Sequence, residues 1–162
     1  MDKMDIRNRF IERRSDMSPR HVRVKSSRIG SRIKSAIDWP IIRSVHIYQS
    51  VPRWNEVSTA ELAAYIRTTW PHINLVVGDP HKRTELPDNQ FDVIIVPLLS
   101  FDASLNRIGF GGGWYDRFLA RQKDSLKIGL AYELQQEPEL PVLAHDVQLD
   151  LIITERRIIK KP

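Results

Sequence analysis

The segment from Val93 to Leu119, VIIVPLLSFDASLNRIGFGGGWYDRFL, constrains this chain more than any other. Val93–Val96 is a run of branched apolar residues with no polar break, the pattern of a strand buried on both faces, and Pro97 ends it. A Phe-Asp pair, Arg107 and glycines at 109, 111, 112 and 113 follow, then Trp114–Arg121, which reads as a helix. Strand, glycine-rich loop and helix start together build an anion site: glycine lets backbone N–H groups approach a phosphate, and the helix start adds partial positive charge. Arg107 adds a forked, permanently charged contact, and Asp116, just inside the helix, an oxygen for a metal. No Lys-Ser/Thr follows the glycines and no clean GxGxxG is present, so neither common nucleotide fingerprint applies.

Around this segment, helical patterns alternate with short apolar runs. A helix is expected over residues 2–15. A second, capped by Ser18 with Pro19 in its first turn, runs to about Ile37. Ser44–Gln49 reads as a strand, and Ser58-Thr59-Ala60-Glu61 has the spacing of a capping box that opens a helix to about Trp70. Strands follow at Ile73–Val77, Asp92–Pro97, Leu126–Ala131 and Leu149–Thr154, with a last edge at Arg156–Lys160. The expected fold is α/β and Rossmann-like: one three-layer domain over residues 1–162, its mostly parallel sheet flanked by helices. Ligands of such sheets bind at the carboxyl ends of the strands, so the loops after Tyr48, Val96 and Ile153 should share one rim.

Charge is unevenly placed. Residues 1–34 hold eleven Lys/Arg against four Asp/Glu, whereas the other 128 hold fourteen against sixteen. On a helical wheel for residues 2–15, Lys3, Arg7 and Arg14 fall at about 0°, 40° and 20°, among Phe10, Ile6, Ile11 and Met4 on the apolar face. Buried cations need a partner, either acidic groups of the fold or a bound anion. A nucleic-acid partner would want that stripe outside, and the wheel turns it inward. There is no cysteine, which removes disulfides, thiolate catalysis and Cys-ligated zinc and fits a cytoplasmic protein. No apolar stretch reaches the roughly 18 residues of a membrane span.

Several motifs in order resemble the 5-formyltetrahydrofolate cyclo-ligase (methenyltetrahydrofolate synthetase) family, with this chain as a short member. They are Lys3, Arg7 and Arg14; Tyr48 with Glu56-Val57-Ser58-Thr59; and the run from Pro97 through Phe101-Asp102 and Arg107-Ile108-Gly109 to Trp114-Tyr115-Asp116-Arg117-Phe118-Leu119. Leu140-Pro141, His145-Asp146, Leu149-Asp150 and Ile152-Ile153-Thr154-Glu155 close the series. The chain departs from the family pattern where only Gly78–Gln90 joins two strands and where Trp114 replaces a tyrosine.

The resemblance implies ATP- and Mg²⁺-dependent conversion of 5-formyltetrahydrofolate to 5,10-methenyltetrahydrofolate through a phosphorylated formyl group. Lys3, Arg7, Arg14 and Arg107, with Gly109, Gly111, Gly112 and Gly113, would hold the triphosphate, with Trp114 and Tyr115 beside it. Val51, Glu56, Trp114 and Tyr115 would meet the folate, Asp116 and Asp150 would coordinate Mg²⁺, and Arg107 and Asp116 would be catalytic. An alternative is a binding member, inactive or acting on a smaller substrate, in which the short Gly78–Gln90 connection leaves part of the folate pocket missing. Asp102 is read as a turn residue, His145-Asp146 as a cap or loop anchor, and Tyr48, Trp54 and Trp70 as packing residues.

Overall fold

A computed structural model describes residues 1–79, 81–82 and 85–162. Six strands form the main sheet: β1 (Ser44–Tyr48), β2 (Asn74–Gly78), β3 (Val93–Pro97), β6 (Leu126–Leu130), β7 (Leu151–Ile153) and β8 (Ile158–Lys160). Their order is β2-β1-β3-β6-β7-β8, all pairs being parallel except the antiparallel β7–β8 edge. Between β3 and β6 the chain adds a short antiparallel pair, β4 (Ser100–Phe101) and β5 (Arg107–Ile108), which the sequence pattern did not reveal. Asp102 turns this hairpin, its carboxylate accepting the backbone N–H groups of Ser104 and Asn106.

Alternation along the strands sets the layers. Val45, Ile47, Val93, Ile95 and Ile128 face α2 (Pro19–Ala36) and α3 (Ala60–Thr69), which bring Ile29, Ile33, Leu62 and Ile66. Ile94, Val96 and Ile152 face α4 (Trp114–Ala120), with Tyr115, Phe118 and Leu119. Each fully buried Ile or Leu contributes about 1.5–3 kcal/mol. Helix α1 (Lys3–Ser15) packs Ile6 and Phe10 on Leu99, Ile108 and Leu140 beside the hairpin.

Two local expectations need correction. Met4 and Ile11 are exposed, so the covered stripe of α1 is Ile6, Phe10 and Arg14 with Lys3 and Arg7 alongside, a narrower face than the wheel drew. The capping box at Ser58 does not form either. Thr59 takes the N-cap position, and its hydroxyl donates instead to the Tyr48 carbonyl while Ser58 N–H donates to Ser26. Tertiary partners at the end of β1 outbid the local cap.

Chain order reverses between β1 and β3: after β1 the chain steps outward to β2, then crosses back to β3 on the other side. The crevice beyond the carboxyl ends of β1 and β3 is therefore the topological switch point, where open α/β sheets bind ligands. The loop after β1 carries Val51 and Glu56, and the loop after β3 leads to the glycines.

Candidate active site

A cavity of about 330 Å³ lies at that crevice, lined by Lys3 and Arg7 from α1, Arg107 from β5, the Gly109–Gly113 loop, and Trp114, Tyr115 and Asp116 from α4. His145 and Asp146, from the segment before β7, close its far side. Gly111 and Gly113 have φ of +115° and +67°, values that L side chains rarely adopt. A Cβ on Gly111 would lie 3.5 Å from Arg7 Cζ, an ordinary van der Waals contact, so it is the positive φ and not crowding that calls for glycine there.

Cations and carboxylates are paired across the cavity. Arg107 is buried and donates from Nη2 to Asp116 Oδ1 at 2.9 Å. The same oxygen accepts the Val147 N–H at 3.1 Å. Burial pulls the Arg107 pKa down, opposed by the Asp116 charge, and its Nε has no partner among the described residues. Lys3 Nζ donates to Asp146 Oδ2, which also accepts the Leu143 N–H, and the Lys3 bond helps hold the Asp146 pKa below the usual carboxylate value. Arg7 donates from Nε to the Gly109 carbonyl at 2.9 Å. Three cations and a glycine-rich row of amides thus converge on one space large enough for a polyphosphate, with two carboxylates interleaved. Tyr115 is buried beneath Arg107, its ring 5.9 Å from the guanidinium carbon, and its hydroxyl is buried without a hydrogen-bond partner among the described residues. Desolvation pushes its pKa up, so the phenol stays protonated.

Two expected site residues, Arg14 and Asp150, do not line this cavity. Arg14 stands seven residues beyond Arg7, about 10 Å further along the helix axis. It does not line the cavity and is buried, its Cζ 5.6 Å from the Phe110 ring. There its Nη1 reaches the Leu98 carbonyl at 3.4 Å and its charge faces Glu56. Asp150 and Asp116, expected to share a metal, are at opposite ends of the sheet. Asp150 precedes β7 and its Oδ2 accepts the N–H of Lys127, near the amino end of β6, at 2.8 Å. The carboxylate that joins Asp116 is Asp146, four residues earlier in the closing motif and expected to serve as a loop anchor. It anchors the Leu143 turn and faces the cavity at once.

Glu56 is buried at the loop after β1. Its Oε2 accepts the Val51 N–H at 2.6 Å, and Oε1 lies 3.2 Å from His81 Nε2. His81 sits against Trp54 and Phe110, with ring centroids 4.0 Å and 4.8 Å away. Trp54, expected to be a packing residue, packs on His81 and, at 5.8 Å between centroids, on Phe110 of the glycine loop. His81 belongs to the short Gly78–Gln90 connection, of which residues 80, 83 and 84 lie outside the described residues. Nothing in the pattern of that connection marked His81, because its partners are 25 to 29 positions away. Beneath Trp114, His46 is buried, with Phe91 and Phe118 at 5.3 Å and 4.8 Å and Trp114 at 6.1 Å.

A sequence profile described as the 5-formyltetrahydrofolate cyclo-ligase family matches residues 68–155. The 5-formyltetrahydrofolate cyclo-ligase of Mycoplasma genitalium is 31% identical over 165 residues, covering 94% of this chain and 98% of that protein. Its counterpart from Mycoplasma pneumoniae is 29% identical over 171 residues, covering 96% and 99%. The solved structure of the M. pneumoniae 5,10-methenyltetrahydrofolate synthetase superposes with a TM-score of 0.80 at 27% identity, over 96% of this chain and 99% of that one. That of Aquifex aeolicus superposes with a TM-score of 0.80 at 25% identity, over 99% and 93%. Near-complete mutual coverage by relatives named as cyclo-ligases does not favour an inactive or truncated-pocket reading.

Proposed function

The chain belongs to the 5-formyltetrahydrofolate cyclo-ligase family, and from that premise we propose how its residues carry out the ATP-dependent closure of 5-formyltetrahydrofolate to 5,10-methenyltetrahydrofolate, with release of ADP and phosphate. A formyl amide oxygen is a poor leaving group. Phosphorylation of that oxygen by ATP makes an iminium phosphate, N10 attacks its carbon, and phosphate departs. Such chemistry asks the protein to position two anionic reactants and to neutralise phosphate charge.

The observation that carries this reading is the convergence of Lys3, Arg7 and Arg107 with the Gly109–Gly113 amides on one cavity at the switch point. In our assignment these groups hold the triphosphate, Lys3 and Arg107 exchanging their carboxylate partners for phosphate oxygens. Trp114 and Tyr115 stack on the reactants, while Val51 and Glu56 meet the folate ring. Arg14 serves the Glu56 side in this reading. Asp116 and Asp146 fit Mg²⁺: both face the same cavity, and the ion needs only one or two carboxylates beside substrate phosphates. Among the described residues no group of three or more acidic or His side chains forms a cage that would strip the ion of its waters. Bound there, Mg²⁺ would offset negative charge on the phosphate oxygens.

We take residues 1–162 as one domain working on small molecules in the cytoplasm. Against a nucleic-acid partner stands the inward turn of the Lys3–Arg7–Arg14 stripe. Among the described residues no helix is long and apolar enough to cross a membrane. The test is calorimetric titration with a non-hydrolysable ATP analogue and Mg²⁺. Binding to the wild type, weakened about tenfold or more in Arg7→Met, is expected from loss of one charged phosphate contact. Equal binding by both proteins would refute the phosphate assignment.

A further inference from the structure

Burial of Glu56 poses a question that the phosphate cavity does not answer. Its side chain is 1% exposed, so its charge must be compensated within the protein. Around it stand Arg14 from α1, Tyr48 from β1, Tyr115 from α4, and Tyr132 after β6. No Lys or Arg nitrogen among the described residues comes within 4.0 Å of its carboxylate. Direct hydrogen bonds come from the Val51 N–H to Oε2 and from His81 to Oε1. An ionised carboxylate offers about four acceptor sites, so roughly two are left for a ligand.

His81 is itself held in place. Its backbone N–H donates to Asp79 Oδ1 at 2.9 Å, and its ring is set edge-on to Trp54 at 86° and to Phe110 at 81°. Trp54 follows β1, and Phe110 belongs to the glycine loop. The imidazole therefore joins three segments: the loop after β1, the connection after β2 and the loop over the phosphates. Its orientation points Nε2 at the carboxylate.

We propose that His81 is a positioning residue for Glu56: its Nε2–H fixes which way the carboxylate faces, so that the remaining acceptor sites receive the N–H groups of the folate ring. The role rests on the assignment of Glu56 to the folate, and it gives the short connection after β2 a specific part in substrate recognition. Because His81 acts through Glu56, it bears on folate capture and not on the nucleotide.

Two substitutions separate the hydrogen bond from the packing. His81→Phe keeps an aromatic ring between Trp54 and Phe110 and loses the donor, while His81→Gln keeps an amide donor and loses the ring. Steady-state kinetics with 5-formyltetrahydrofolate and with ATP as the varied substrate give the readout. His81→Phe should raise KM for the folate about tenfold, as loss of one charge-assisted hydrogen bond would, with KM for ATP within about twofold of wild type. His81→Gln should recover most of that loss. In a Glu56→Gln background, His81→Phe should add nothing. Folate KM unchanged in His81→Phe, equal damage in the Gln and Phe variants, or an effect that persists without Glu56 would each overturn the proposal. Should Glu56→Gln alone leave the folate KM at the wild-type value, the folate assignment of Glu56 fails first, and the role of His81 falls with it. The ATP KM reports in every variant whether the fold and the phosphate cavity are intact.

Discussion

Acid will destabilise this protein through His46, and the size of the effect follows from the surroundings of the ring. His46 lies on β1, 2% exposed, enclosed by Phe91, Phe118 and Trp114, with a buried Nδ1 that has no partner among the described residues. Burial favours the neutral ring and pushes its pKa from 6.5 down to about 4. Between those values the unfolded chain binds a proton that the folded chain refuses, so stability rises with pH through this window and is complete above it. A difference of about 2.5 units corresponds to roughly 3 kcal/mol, lost at about 1.4 kcal/mol per pH unit as pH falls from about 6.5 toward 4. The assay is urea unfolding of wild type and His46→Leu at pH 7.0 and 5.0. Every other group is common to both proteins, so the difference between the two pH dependences isolates His46. Wild type should lose roughly 2 kcal/mol more than the variant between those conditions. Equal losses would refute the reasoning, showing that the ring finds a partner or water when protonated.

Other substitutions test the site. Arg14→Met should leave affinity for an ATP analogue within about twofold, whereas Arg7→Met weakens it tenfold or more, since Arg7 alone of the pair lines the phosphate cavity. Asp146→Asn should raise the Mg²⁺ concentration needed for half-maximal turnover by about tenfold or more, the change expected from losing an ion-binding carboxylate. Asp150→Asn should leave that concentration unchanged and cost about 1 kcal/mol in urea unfolding, through weakening of its bond to the Lys127 N–H. Tyr115→Phe removes a buried hydroxyl that has no partner among the described residues, so stability in the same unfolding assay should stay level or rise by up to about 1–2 kcal/mol.

The sheet was legible because its strands advertise burial on both faces: Val93–Val96 could be little else, and its neighbours repeat the pattern. The cavity lined by the glycine loop was legible for a related reason, as two glycines with positive φ, Gly111 and Gly113, follow Arg107 within one short segment. The wheel turned Lys3 and Arg7 inward correctly, but it has no axial coordinate. It therefore could not show that Arg14 does not line the space its companions share. The choice between Asp146 and Asp150 depended on where β7 begins, and a shift of four residues moves a carboxylate to the opposite end of the sheet. His81 was illegible altogether. Its chemistry exists only where the loops after β1, β2 and β3 meet, and no local pattern encodes that meeting.

The central claim is tested most directly by mixing purified protein with 5-formyltetrahydrofolate, Mg²⁺ and ATP and following the near-ultraviolet absorbance of the methenyl product, with Asp116→Ala as the control. Product that depends on ATP and disappears in the control is the predicted result. No product from wild-type protein that binds the ATP analogue normally would contradict the account.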